Sequence, residues 1–228
     1  MAPAVKVYGW AVVSPFVARA VLCLEEAGVE YELVPLSREA GDHRLPDFLA
    51  RKNPFGQVPV LQEADDDLTL FESRAIARHV LRKHKPELLT GDGSPGSAAM
   101  VDVWLEVEAQ QHHPLAAAIV MQCIVSPLTG RAVDQAAVDE DVRKLGKVFD
   151  VYEARLSASR YLAGDSVSLA DLSHFPLMRY FMETEHAALV EERPCVRAWW
   201  EELRARPAAR RVAELMPPDF GLGKKADQ

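Results

Sequence analysis

Cysteine is scarce: Cys23, Cys123 and Cys195 are the only three in 228 residues. They lie far apart and form no C-x-x-C pair, which argues against a disulfide framework or a zinc ribbon and fits a reducing compartment. Basic charge is also short, with 26 Lys and Arg against 34 Asp and Glu and a formal net charge of −8. Duplex nucleic acid and anionic membrane surfaces both select a basic face, so neither is an expected partner. A small anion held in a local pocket remains compatible with that balance. Long apolar runs are missing too, none approaching the roughly 20 residues of a membrane span. The opening MAPAVKVYGW lacks the apolar core of a signal peptide, and the closing GLGKKADQ matches no lipidation or retention signal. The expected location is cytoplasmic.

What is present falls into two textures. Up to about residue 85, short segments of alternating type follow one another. A β-rich run at 5–9 leads through VVSPF into a helix over 14–27, where Phe16, Val17, Ala20, Val21, Leu24 and Ala27 share one face. Ser14 stands at its N-cap, Pro15 at its first helical position and Gly28 at C′. Strands are expected at 31–36, 58–61 and 68–71, the last two separated by a turn at 64–67. Helices are expected at 46–52 and from Ser73 to about residue 83. The order is β-α-β-α-β-β-α.

Seven of the eight residues in TGDGSPGS, 90–97, are turn formers. Beyond them helical patterns dominate: 98–125, nearly unbroken although Pro114 should kink it or end a segment, then 139–156, a helix opened by the capping box Ser168-Leu169-Ala170-Asp171, 196–203 and 208–216. Val142, Leu145, Val148, Phe149 and Tyr152 share a face of the second. The fold class is therefore an α/β N-terminal domain (1–85), a linker (86–97) and an all-α helical-bundle domain (98–228). Val58-Pro59, ahead of the third strand, reads as a bend, since proline inside a central strand would break its ladder. With this order of elements, the first domain resembles the thioredoxin fold.

Three stretches carry a closer resemblance. Tyr8-Gly9 before Ser14, Asn53-Pro54-Phe55-Gly56-Gln57-Val58-Pro59-Val60-Leu61, and Phe71-Glu72-Ser73-Arg74-Ala75-Ile76 resemble a glutathione transferase, in particular the plant phi class. Tyr161-Leu162-Ala163-Gly164-Asp165 with Ser168 to Leu172 is similar to the capping box of that family's helical domain. The likeness spans about residues 5–217. It implies glutathione as cosubstrate, with Gln57, Glu72 and Ser73 at the γ-glutamyl end, His43 and Arg44 at the glycine carboxylate, and the backbone of Val58, next to Pro59, at the cysteinyl part. Many phi sequences carry lysine where Arg44 stands; both are cations. The resemblance also implies an electrophile side built from Val13, Pro15, Phe16, Arg38, Met121 and Val125, and a homodimer burying the flank around Phe55. Ordinary helix core is the competing reading for Met121 and Val125. Arg38 departs from an aromatic that can occupy its place.

The chemistry of these positions also stands by itself. Ser73 opens a helix, where free N–H groups and the dipole favour a carboxylate, and Glu72 suits an ammonium. A free thiol has a pKa near 8.5. Lowering it by two units takes about 2.7 kcal/mol, within reach of a charge-assisted hydrogen bond from Ser14 at a helix N-terminus. Serine would then donate to the thiolate without acting as a nucleophile. It cannot form the mixed disulfide of the family's Cys-Pro-Phe branches, which disfavours thiol–disulfide exchange. The expected activity is conjugation of glutathione to hydrophobic electrophiles, with glutathione-dependent reduction of organic peroxides beside it. The alternative is a non-catalytic carrier of apolar or anionic metabolites.

Other signals have plainer readings. His112-His113 face different ways on a helix and lack a second ligand pair, so no metal is expected. Cys23, Cys123, Trp199 and Trp200 read as packing, and Arg19 as a holder of nearby backbone or carboxylate groups.

Overall fold

The computed structural model describes residues 5–64 and 67–222. Asp65 and Asp66, half of the turn expected at 64–67, and the two terminal stretches lie outside the described residues. The first half runs β1 (Val5–Gly9), α1 (Pro15–Ala27), β2 (Tyr31–Pro35), α2 (Pro46–Arg51), β3 (Val60–Glu63), β4 (Leu68–Phe71) and α3 (Ser73–His84). The strands form one sheet in the order β2-β1-β3-β4. β1 pairs parallel with β2, while β3 runs antiparallel to both β1 and β4. The crossover through α1 makes the parallel pair; the short turn before β4 makes the antiparallel one. Val58–Pro59 is cis and immediately precedes β3. At the end of β1 the backbone meets α1 closely: a Cβ on Gly9 would come within 2.6 Å of Val17 Cγ2.

Sequence periodicity gave α1 a single apolar face, but every residue from Val17 to Leu24 is buried. The helix lies between the sheet, α3 and the helical half, so both sides are covered. Phe16, assigned to that face, is instead 41% exposed, because it stands in the first turn before the helix enters this sandwich.

The segment 86–97 holds α4 (Glu87–Thr90) and the first turn of α5 (Pro95–Val107), so the stretch without regular structure narrows to 91–94. Ser94 Oγ accepts the Ser97 N–H and caps α5. The chain then continues through a π-turn at Glu108–His112, α6 (His113–Val120), a second π-turn at Met121–Val125 and α7 (Ser126–Leu128). Pro114 neither ends nor breaks this rod, because it falls in the first turn of α6, just past the widened π-turn. α8 (Gln135–Leu156) begins four residues earlier than its apolar pattern suggests, since Asp134 caps it through the Ala137 N–H. α9 (Leu169–Phe181), α10 (Ala188–Glu191), α11 (Pro194–Ala205) and α12 (Pro207–Glu214) complete the bundle. Twelve of the thirteen residues of α9 are buried, which makes it the axis of the helical half. Among the described residues, no helix is long and apolar enough to cross a membrane.

Candidate active site

Gln57, Val58, Pro59, Glu72 and Ser73 line one cavity of about 210 Å³, with Phe16 on its wall. Three further residues line it: Trp10, which gave no signal in the sequence, and Asn53 and Arg74, which stand in the motifs of the resemblance but were given no site role. Asn53 is legible in retrospect, because the turn at 53–57 is built by its side chain. Its Oδ1 accepts the Phe55 N–H and its Nδ2 donates to the Gln57 carbonyl, both at 3.0 Å. Gly56 has φ +60, and a Cβ there would stand 3.0 Å from the His43 carbonyl, so glycine lets the turn approach that loop.

Glu72, also lining the cavity, sits at φ 70, ψ 107, a conformation that costs a non-glycine residue about 1–3 kcal/mol. Ser73 follows as the first residue of α3, where unpaired N–H groups face the cavity end of the helix. The fully buried Arg19 donates from Nη1 to Ser73 Oγ at 2.8 Å, leaving the Ser73 hydroxyl proton for another acceptor. From Nη2 it donates to Glu108 Oε1 at 3.0 Å and to the Ser173 carbonyl at 3.2 Å. Arg74 Nε donates to Glu108 Oε2 at 2.7 Å. Burial pushes the Glu108 carboxyl up, but Arg19, His113 and Arg74 outweigh it and hold the group well below the usual carboxylate range. An ionised, buried carboxylate thus fixes Arg19 and Arg74 beside the start of α3. The backing role read for Arg19 is what it performs; Glu108, 89 positions away in sequence, had given no signal.

Ser14 is 6% exposed and immediately precedes α1. Its carbonyl accepts the Ala18 N–H at 2.9 Å, but its side chain makes no cap hydrogen bond, contrary to the cap reading. Pro15 has no N–H to offer, and the hydroxyl has no hydrogen-bond partner among the described residues. Ser14 is not on the wall of the 210 Å³ cavity, nor are His43, Arg44, Val13, Pro15, Arg38, Met121 and Val125.

His43 is 6% exposed, with its ring edge-on to Trp10 at 4.9 Å, and Arg38 lies over the other part of Trp10 at 5.3 Å. Burial lowers the His43 pKa, and the charges of Arg44 and Arg38 lower it further. The ring is therefore neutral at pH 7: it offers an N–H, while the exposed Arg44 and Arg38 bring the positive charge. Arg38 thus joins the His43 side of Trp10. Of the electrophile set, Phe16 packs its ring against His113 at 5.3 Å, and the Val13 carbonyl accepts the Tyr180 hydroxyl at 3.0 Å. Met121 is 43% exposed, whereas Val125 is buried at 5%.

Two family models match the chain: the glutathione S-transferase N-terminal domain over residues 3–82 and the C-terminal domain over 112–207. Glutathione S-transferase 4 of Zea mays is 64% identical over 225 residues, covering 99% of both chains. The chain belongs to the glutathione transferase family. It is similar to the plant phi class within it, including probable glutathione S-transferase GSTF2 of Oryza sativa subsp. japonica, 52% identical over 96% of this chain and 99% of that one. The transferase follows the same path as glutathione S-transferase I from maize in complex with an atrazine glutathione conjugate (TM-score 0.89, 49% identity, 95% of this chain and 99% of that one). Glutathione S-transferase I bound with lactoylglutathione is equally similar, with a TM-score of 0.88 and 49% identity over 94% and 100%. The thioredoxin-like α/β half and the helical half are those of the family, and the chain is a glutathione transferase that uses glutathione as cosubstrate to conjugate electrophiles.

Proposed function

We propose that Ser14 stabilises the reactive thiolate of glutathione in this transferase, with glutathione laid along the cavity walls. Residues 1–85 form the glutathione-binding unit and 98–228 the unit facing the electrophile. The γ-glutamyl carboxylate meets the Ser73 hydroxyl and the α3 N–H groups, its ammonium meets Glu72, and Gln57 closes that end. The Val58 backbone beside Pro59 pairs with the cysteinyl peptide, and His43 with Arg44 takes the glycine carboxylate. The thiol then lies toward the start of α1. There the Ser14 O–H donates to the sulfur and favours its ionised form; the sulfur lone pair attacks the electrophilic carbon and the leaving group departs with the bonding electrons. Val13, Pro15, Phe16, Arg38, Met121 and Val125 shape the side from which a hydrophobic electrophile arrives. Aryl halides and chloroacetamides are the substrate classes, and organic hydroperoxides are reduced to alcohols by the same thiolate, a second glutathione completing the disulfide. The active form is a cytoplasmic homodimer that covers Phe55, which is 71% exposed in the single chain.

The observation that carries this reading is the uncommitted Ser14 hydroxyl at a helix N-terminus. In Ser14→Ala, kcat for an aryl halide should fall roughly 30-fold at neutral pH, the effect of returning a thiol from about 6.5 toward 8.5. Glutathione affinity by calorimetry should hold, and the pH–rate profile should move up by about two units. An unshifted profile with unchanged kcat would remove Ser14 from the chemistry.

A further inference from the structure

One group of donor side chains lies outside the glutathione cavity and outside the reaction. The Cys123 sulfur, on the second π-turn, meets a Glu185 oxygen and a His186 nitrogen from the 3-10 turn Glu185–Ala187, and these atoms all lie within 4.8 Å of one another. His186 Nε2 is buried and has no hydrogen-bond partner among the described residues, although Glu185 Oε1 stands 3.7 Å away. Leaving such an atom unpaired costs about 1–3 kcal/mol. The turn itself is held firmly. Thr184 Oγ1 accepts the His186 N–H at 3.3 Å and donates to the Phe181 carbonyl at 2.7 Å, tying the turn to the end of α9.

We propose that Cys123, Glu185 and His186 form a binding site for a zinc-class divalent cation. Zinc bonds of about 2.0–2.3 Å place tetrahedral donor atoms roughly 3.3–3.7 Å apart. The Glu185–His186 pair is already at that spacing, and the remaining closure of about 1 Å falls to the exposed Glu185 carboxylate and the Cys123 side chain. A set of sulfur, nitrogen and oxygen selects zinc or cobalt(II) over magnesium and calcium, which take oxygen alone. Three protein donors leave the fourth position for water. Burial, with Glu185 beside it, raises the Cys123 thiol above its ordinary value. Cation uptake therefore forms the metal–sulfur bond and releases the thiol proton to solvent, leaving two anionic ligands that neutralise the charge. Cys123 lies between Met121 and Val125, so a bound cation would join the proposed electrophile wall to the turn after α9.

The metal-free full chain, in buffer without glutathione, is titrated with cobalt(II) and then zinc. One cobalt per chain, with a thiolate-to-cobalt charge-transfer band that zinc displaces, is the expected result. Cys123→Ser should abolish the band, and His186→Gln should weaken zinc roughly 100-fold, at the upper end of what even an outer-shell change costs. Cys195→Ser should alter neither, and circular dichroism reports whether each variant is folded. A band that survives in folded Cys123→Ser, unchanged zinc affinity in His186→Gln, or no uptake by the wild type at millimolar zinc would overturn the proposal.

Discussion

Arg19 has no contact with solvent, and a buried guanidinium is tolerable only where its charge is matched and its donors are used. Glu108 provides the charge, and Ser73 and the Ser173 carbonyl take further donors, while Nε has no partner among the described residues. The Ser173 carbonyl lies in α9, so the contact ties α1 to the axis of the helical half. One side chain from α1 thus holds the Ser73 hydroxyl at the start of α3 and anchors the helical half. Removing the carboxylate charge strands the cation. Glu108→Gln should lose about 3–5 kcal/mol of stability, the usual cost of breaking a buried pair from one side. Urea unfolding checks this, and a rise in the KM for glutathione with little change in kcat should accompany it, because Ser73 loses a fixed partner. A shift below about 1 kcal/mol would mean that the pair contributes no more than an exposed ion pair does.

At the scale of elements, end signals were the most legible feature. Gly28 at the end of α1, Ser73 at the start of α3 and the box at Ser168–Asp171 all stand where the sequence puts them, because each depends on a few neighbouring residues. Asp171 exceeds its capping role. It accepts the Leu162 N–H at 3.0 Å, the Ser168 N–H and hydroxyl at 2.9 Å and the Trp199 Nε1–H at 3.0 Å, joining α9, the loop before it and α11. Asn would bring an NH2 against groups that are themselves donors. Asp171→Asn should therefore cost about 2–4 kcal/mol, beyond an ordinary cap loss, seen as a lower urea midpoint with an unchanged m-value. Features that depend on distant partners were not legible. The two π-turns leave no local signature, the burial of both sides of α1 depends on α9, and the Cys123 cluster joins segments remote in sequence. In the candidate site, the 53–59 and 72–73 stretches were readable from their motifs, whereas Trp10 and Glu108 enter only through packing.

Across the whole molecule, ion pairs beyond the buried Arg19–Glu108 pair join the two halves, and aromatic packing fills the helical one. Arg206 donates from both Nε and Nη2 to the Glu26 carboxylate at 2.6 and 2.7 Å, and Arg211 reaches Glu25. Inside the helical half, His112 and His174 are fully buried among Phe149, Tyr152 and Trp199. His174 Nδ1 faces the Ala170 carbonyl, which only accepts, so that nitrogen carries the proton and Nε2 receives the Tyr152 hydroxyl. Burial lowers the His174 pKa from 6.5 to about 4, and burial with the charge of His174 lowers that of His112 as well. Both shifts are depressions: the unfolded chain takes up protons below about 6.5 while the folded chain refuses them, so stability is full above that pH and falls as pH drops. For His174 the loss extends to about pH 4 and amounts to about 3 kcal/mol, at about 1.4 kcal/mol per unit. Glu108, also depressed, adds its own loss only below the ordinary carboxylate range. Both ring nitrogens of His112 lack hydrogen-bond partners among the described residues, so Phe can fill its slot without orphaning a donor. His112→Phe should leave stability at pH 7 within about 1 kcal/mol of wild type and roughly halve the dependence between pH 6.5 and 4.5, followed by urea midpoints at stepped pH. An undiminished slope would assign the acid sensitivity to His174 and leave His112 as packing alone.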